Sequence, residues 1–240
     1  MLIFLQITLM RYSISIAFIL LFFISCQTTE KKTDKHSNEL IEKFKPFLNG
    51  TWVPVDYIKA IVKTKSPLKS SEEITFISEF SIDTTGIIKD SIHVLAAMGN
   101  HEGYDFYVYF KQGITSTSLL TDINGYSEEL SSSYELGYVI SKSDTSLILS
   151  HYDKNKKLLD ETKYIKAPVN ESNNEEDASG LQYMVNKKLV SGTYIVTDST
   201  GGETQVELTN EGKIMGFPGF KTYYVITDFV ADPENTTDKM

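Results

Sequence analysis

Short segments of alternating apolar and polar residues, separated by turn residues, fill the sequence between residues 48 and 166. Such alternation places the apolar side chains on one face of a strand, which can then be buried. In the second of these segments Phe76, Phe80 and Ile82 share one face, and Asp83-Thr84-Thr85-Gly86 then turns the chain. Short strands at even spacing, joined by hairpins, are typical of an up-and-down barrel or a sandwich. Eight strands are predicted, at 51–56, 73–83, 87–97, 104–110, 115–122, 133–141, 145–152 and 157–166.

Two segments near the first strand depart from this alternation. Apolar residues at helical spacing in 38–44 predict a short helix, capped by Ser37 or Asn38 and ended near Pro46. Residues 58–73 predict a partly helical insertion between the first two strands. Its basic side chains can either attract an anionic ligand group or form a solvated surface. They are Lys59, Lys63, Lys65 and Lys69.

The first 25 residues have the composition of an export signal. Arg11 is their only charged residue, and the apolar run from Ile14 to Ile24 has the length of a signal-peptide core. That run is too short for a membrane-spanning helix of about 20 residues. Met10, directly before Arg11, offers a second start, so Met1 and Met10 are alternative initiators.

The apolar run ends in Phe23-Ile24-Ser25-Cys26, and Cys26 is the only Cys of the chain. This arrangement resembles the lipobox of bacterial lipoproteins, although Phe23 stands where Leu is usual. The resemblance implies that residues 1–25 are removed and that Cys26 is lipidated as the mature N-terminus. The alternatives are an incidental Cys beside an ordinary signal peptide and an uncleaved N-terminal anchor.

The charge of the mature chain bears on its partners. Removal of 1–25 leaves 22 basic and 32 acidic residues, a net charge of −10. An acidic body is repelled by anionic lipid and lacks the basic surface that nucleic-acid phosphates require. Residues 26–37 contain no large apolar residue and predict a flexible tether. Gln27, by resemblance to enteric sorting rules, implies an outer-membrane lipoprotein facing the periplasm or the cell surface.

The C-terminal third contains what we interpret as a partial copy of the first strands. Residues 167–181 are acidic and predict a linker, and strands return over 182–240. Short hairpins also look alike by chance, so convergence is the alternative to duplication. A partial unit of this kind either packs on the first domain, pairs with another chain, or is a shortened relative of it. The matched pieces are 50–53 with 192–195, 80–88 with 206–214, and 105–110 with 222–227.

Gly50-Thr51-Trp52 begins the first strand, directly after the predicted helix. This resembles the Gly-x-Trp motif of lipocalin-like barrels, and an eight-stranded antiparallel lipocalin-like barrel over 38–166 is therefore the predicted fold. The resemblance implies that Trp52 closes one end of the barrel beneath the helix. A barrel of eight strands has room for packed side chains or for one small ligand. The candidate ligand-binding residues are inward-facing aromatics, namely Phe76, Phe80, Tyr104, Phe106, Phe110, Tyr134 and Tyr138.

Catalytic and metal-binding motifs are missing from the sequence. It has no Gly-x-Ser-x-Gly, His-Glu-x-x-His or phosphate-binding Gly-rich loop, so no enzyme, cofactor or metal is predicted. His101-Glu102 falls in a hairpin turn without a partner at a recognisable spacing. We therefore predict a lipid-anchored binding protein that holds a small apolar or amphipathic ligand. The alternative is a structural or protective surface module, of the inhibitor or immunity type, that recognises a protein through its loops.

Overall fold

The computed structural model describes residues 35–123, 132–142, 144–168 and 179–229. Cys26, the leader, most of the tether and linker, and the C-terminal tail lie outside the described residues. The helices are α1 (Lys35–Leu48), α2 (Val55–Thr64) and α3 (Gly180–Leu189), with 3₁₀ turns at Leu68–Glu73 and Thr84–Gly86. The first eight strands are β1 (Gly50–Pro54), β2 (Ile77–Ile82), β3 (Ser91–Met98), β4 (Glu102–Gln112), β5 (Ser118–Thr121), β6 (Ser133–Ser141), β7 (Asp144–Tyr152) and β8 (Leu158–Ala167). A second set comprises β9 (Gly192–Thr197), β10 (Glu203–Leu208) and β11 (Ile214–Met215).

The first eight strands form a closed antiparallel barrel in sequence order. Closure is made by β1, which pairs with β2 on one side and with β8 on the other. Thr51 lies opposite Ala167 in this last ladder, and Pro54 lies opposite Tyr164. The predicted all-β, eight-stranded lipocalin-like barrel is thereby confirmed, and the sandwich alternative is wrong.

Helix α1 covers one end of the barrel. Its apolar face inserts Leu40, Phe44 and Leu48 into the same buried cluster as the inward-facing strand residues. The helix starts at Lys35, inside the predicted tether, and continues past Pro46 to Leu48. A proline in the last turn removes a single backbone donor, so the helix need not stop there. We name this end of the barrel the floor and the opposite end the mouth.

The predicted insertion after β1 is helical, as α2 and the following 3₁₀ turn show. The buried side chains of α2 are Tyr57, Ile58 and Ile61. They do not enter the barrel but form a second buried cluster outside it. That cluster includes residues of α3, so the insertion joins the barrel wall to the C-terminal part of the chain.

Helix α3 replaces the strand and linker residues expected around position 182. Ser179 caps it by accepting a hydrogen bond from the backbone N–H of Gln182 at 3.2 Å. All residues from Gly180 to Asn186 are buried, so no polar face marks the helix with a 3.6-residue period. The linker boundary moves as well, because Ala167 still belongs to β8.

The second sheet has three strands in the order β11-β10-β9. The strand expected from the match of 222–227 with 105–110 does not form. Instead, Thr222 makes a single bridge to Lys213. The following segment, which we name the strap (residues 223–229), packs instead. Val225 joins the second cluster, and Asn100 donates a hydrogen bond to the Thr227 hydroxyl at 2.6 Å. Tertiary contacts thus take the place of a strand ladder.

No helix among the described residues has the length and apolarity needed to cross a bilayer.

Candidate functional site

The seven aromatic candidates occupy three levels of the barrel. At the floor, Tyr138 meets Phe44 edge-on at 5.2 Å and stacks on Phe47 at 4.5 Å. The middle level is fully buried, whereas the level at the mouth is partly exposed. The middle level holds Phe80 and Phe106, while Phe110 is buried nearer the floor end of β4, and the mouth holds Phe76, Tyr104 and Tyr134.

The middle level is packed with side chains. Phe80 contacts Phe106 and Tyr164 edge-on, with ring centroids 6.2 and 4.8 Å apart. The Tyr164 hydroxyl donates a hydrogen bond to the Ile77 carbonyl at 2.7 Å, and complete burial raises its pKa. These contacts stabilise the barrel, because buried aromatic rings in edge-on contact pack tightly without needing a guest.

Trp52 lies at the floor, in the position that the resemblance implies. Its ring is 2% exposed and belongs to the barrel core. Its indole N–H donates a hydrogen bond to the Leu48 carbonyl at 2.9 Å. That carbonyl ends α1 and has no partner within the helix. Trp52 therefore fixes the helix to the first strand.

The aromatic rings at the mouth form a connected group. Phe76 contacts Tyr104 at 5.9 Å and Tyr134 at 6.1 Å between ring centroids. Tyr134 in turn stacks on His151, with parallel rings 4.2 Å apart. Burial, together with the nearby Asp160, raises the pKa of Tyr134, so its hydroxyl keeps its proton at neutral pH.

His151 brings a polar function into this aromatic group. Leu147 and Leu149 face the core, so alternation along β7 also turns His151 inward. Its Nδ1 lies 2.9 Å from an Asp160 carboxylate oxygen on the neighbouring strand. In the neutral ring, an Nδ1–H that donates to a carboxylate leaves Nε2 as an acceptor. This Nε2 is buried and has no hydrogen-bond partner among the described residues.

We name these five residues the mouth cluster: Phe76, Tyr104, Tyr134, His151 and Asp160. It combines apolar ring faces with one unpaired acceptor, which is the usual composition of a small-molecule site. The unpaired atom is costly, since burying a polar group without a partner destabilises the fold by about 1–3 kcal/mol. A hydrogen-bond donor on a ligand would remove this cost.

Two further His–Asp pairs lie outside the mouth cluster. His93 contacts Asp105 at 2.9 Å across β3 and β4, on the exposed outer surface. His101, in the turn between these strands, contacts Asp228 of the strap at 2.8 Å. That contact raises the pKa of His101. His101 thus has a partner, although one from a distant part of the sequence.

Sequence reasoning found the aromatic members of the mouth cluster and missed its polar members. The alternation of Leu147, Leu149 and His151 was an available signal for an inward histidine. Asp160 carried no such signal, because its place opposite His151 depends on the register of two strands. Among the described residues, no group of three His, Cys, Asp or Glu side chains is placed to hold a metal ion.

The class that the fold defines is a closed, eight-stranded, lipocalin-like antiparallel barrel with a small second sheet. Comparison with known protein families, with curated proteins and with solved structures finds no match to this chain.

Proposed function

We propose that this chain is a lipid-anchored extracytoplasmic binding protein that holds a small amphipathic ligand at the barrel mouth. The observation that carries the proposal is the buried, unpaired Nε2 of His151 among three aromatic rings. The closed barrel supplies the rigid frame for such a site. The packed middle level supports the fold, and the ligand occupies the part-exposed level above it.

The chemistry of the mouth cluster defines the ligand class. The faces of Phe76, Tyr104 and Tyr134 favour a flat or apolar body. The acceptor on His151 favours one hydroxyl or N–H group attached to that body. Because Asp160 lies beside the histidine, a cationic or neutral donor is preferred over an anionic group.

Binding of 2-naphthol to the full chain tests this proposal, with 2-methoxynaphthalene as the analogue that lacks a donor. We expect 2-naphthol to bind more tightly, and the His151→Phe variant to lose about tenfold in affinity for it, the upper range for one hydrogen bond. The matched control is His93→Phe, which removes a histidine with the same kind of aspartate contact from the outer surface. Equal affinity for both analogues, or equal losses in both variants, would contradict the proposal.

The lipid anchor is a separate part of the proposal and rests on the leader and on Cys26. Several acyl chains on one residue hold a protein stably at a membrane, whereas one chain does so only marginally. We expect radiolabelled palmitate to be incorporated into the wild-type chain and not into Cys26→Ser. Fractionation of the labelled protein with the outer membrane supports the expected location, and an unlabelled wild-type chain would contradict the anchor.

A second candidate function is recognition of a protein partner. Apolar side chains on both faces of β9 are exposed, including Tyr194 and Ile195, and β9 is an edge of its sheet. Exposed apolar residues at a strand edge favour contacts with other proteins. Native mass spectrometry of the gently extracted full chain separates the candidates. A bound small molecule that His151→Phe releases favours the first, and a stoichiometric protein that Ile195→Lys releases favours the second.

A further inference from the structure

A cleft beside the floor of the barrel forms a second candidate site, remote from the mouth cluster. Its volume is about 840 Å³, within the usual range for small-molecule sites. Its walls come from the end of α1, the start of α2, the turn between β6 and β7, and the end of β8. We name it the basic cleft, after the four lysines that line it: Lys59, Lys142, Lys163 and Lys166.

Positive charge is concentrated in this cleft although the chain as a whole carries a net charge of −9. Lys59 contacts Asp56 at 3.0 Å, and both side chains are well exposed. Among the described residues, the other three lysines have no carboxylate oxygen within 4.0 Å. Asp144 is the single acid among the residues that line the cleft. Uncompensated ammonium groups repel one another, so an anion bound between them is stabilised.

One of these lysines lies against a glycine. Gly50 has a φ of +114°, a conformation that side-chain-bearing residues rarely adopt. A methyl group at this position would overlap the Lys166 side chain. Gly50 therefore allows the sharp turn from α1 into β1 and also leaves room for the end of the Lys166 side chain at the barrel floor.

Part of the cleft wall is apolar. Phe47, Trp52, Val55 and Ile165 line it, beside polar residues of β6 and β7. Stacking on Tyr138 holds the Phe47 ring in place. A cleft that presents both ammonium groups and apolar side chains suits a ligand with a charged end and a short hydrocarbon part.

We propose that the basic cleft binds an anionic amphiphile, a phosphate or carboxylate group joined to a short apolar chain. Lysine ammonium groups bind such anions as point charges, without the fixed geometry of arginine. The ligand is either a free ester or the head group of an anionic lipid, since both present the same chemistry. This site is independent of the mouth cluster and of the ligand proposed there.

Trp52 is the only Trp of the chain and lines the cleft, so its fluorescence reports binding directly. The full chain, in uncharged detergent micelles, is titrated with hexyl phosphate and with hexanol. We expect a saturable change with hexyl phosphate alone, weakened as salt rises from about 50 to about 500 mM. The double variant Lys142→Gln, Lys166→Gln is expected to lose at least tenfold in affinity. His151→Phe should leave this response unchanged.

The control is the double variant Lys154→Gln, Lys157→Gln, which removes the same two charges from the turn between β7 and β8, at the mouth end. A second arm adds phosphatidylglycerol to the micelles. A lysine-dependent response to the lipid identifies a head group as the ligand, and a response to hexyl phosphate alone identifies a free ester. The proposal would be overturned if hexanol bound as tightly as hexyl phosphate. It would also be overturned if the variant Lys142→Gln, Lys166→Gln kept its response in either arm, or if the wild-type chain responded in neither arm.

Discussion

Trp52 and Tyr194 stand at corresponding places in the two parts of the chain that the sequence pattern matches. Each follows a helix and a glycine at the start of a strand. Each donates a hydrogen bond to the carbonyl four residues earlier, Trp52 to Leu48 and Tyr194 to Val190. Their surroundings differ, because the Trp52 side chain is 2% exposed and that of Tyr194 is 43% exposed.

This contrast shows what the matched sequence pattern specifies. The motif produces the same helix-to-strand corner twice, and the following turn repeats as well, since Gly86 and Gly212 each donate to the carbonyl three residues before. Burial follows from closure of the sheet. Strand β1 has β2 and β8 as neighbours, whereas β9 pairs with β10 alone among the described strands. In the part of the chain that the structure describes, the enclosed interior, and with it the proposed ligand site, therefore belongs to the barrel.

The largest effect is expected at the buried member of the pair. Trp52→Ala removes a fully packed ring from the floor and should lower the free energy of unfolding by about 3–5 kcal/mol. Urea denaturation, followed by far-ultraviolet circular dichroism, measures this loss. A loss below about 1 kcal/mol would show that the floor does not hold the barrel together.

A smaller effect is expected at the junction between the two parts. Glu79 of β2 accepts a hydrogen bond from the Leu181 N–H in the first turn of α3. Burial raises the pKa of the Glu79 carboxyl group, because its effect outweighs the hydrogen bonds from the first turn of α3, which lower the pKa. Glu79→Ala removes a cap and should lower the free energy of unfolding by about 1–2 kcal/mol. Glu72→Ala, at an exposed position, is the matched control, and equal losses in both variants would show that Glu79 does not secure the helix.

Tyr194→Ala should have a much smaller effect than Trp52→Ala, below about 1 kcal/mol, because Tyr194 is 43% exposed whereas Trp52 is buried. Differential scanning calorimetry of both variants compares them directly. If the two losses were similar, the second unit would bury Tyr194 as the barrel buries Trp52, and the contrast would fail.

The smallest effect concerns the strap, which contacts His101 in the turn between β3 and β4 of the barrel. Asp228 raises the pKa of His101 above its ordinary value of 6.5. A raised pKa in the folded state means that the contact stabilises the strap below pH 6.5 and weakens as the pH rises through the folded-state value. Hydrogen exchange of the strap amides should therefore quicken with pH beyond the intrinsic base-catalysed increase. Asp228→Asn should abolish that extra dependence, and its persistence in this variant would exclude the His101 contact as the cause.

Much of the barrel could be predicted from sequence, and the reasons lie in particular residues. Alternating segments identified all eight strands, because each buries one face. Alternation alone did not separate the barrel from the sandwich, since closure depends on Thr51 meeting Ala167 across more than 100 residues. The resemblance of Gly50-Thr51-Trp52 to the lipocalin-like motif is what favoured the barrel. Helix α3 was missed because its first seven residues are buried on every side. The strand predicted near 222–227 was wrong because Thr227 and Asp228 contact Asn100 and His101 instead of pairing with a strand.

The candidate site was predicted only in part. Phe76, Tyr104 and Tyr134 follow from alternation alone, because aromatic residues on the inward face mark the interior. Alternation does not predict which of the inward-facing aromatic rings are packed and which are partly exposed, since this depends on the position of each residue between the floor and the mouth. His151 and Asp160 meet through strand register, which no local pattern encodes.

The central claim is that the barrel mouth holds a ligand through His151. Nitrogen-15 correlation spectra of the histidine rings, recorded with and without 2-naphthol, test it at the atom concerned. The account predicts that the Nε2 resonance of His151 moves as it accepts a hydrogen bond, while the resonances of His93 and His101 stay in place. An unchanged His151 resonance at saturating ligand, or an equal change at His93, would contradict the claim.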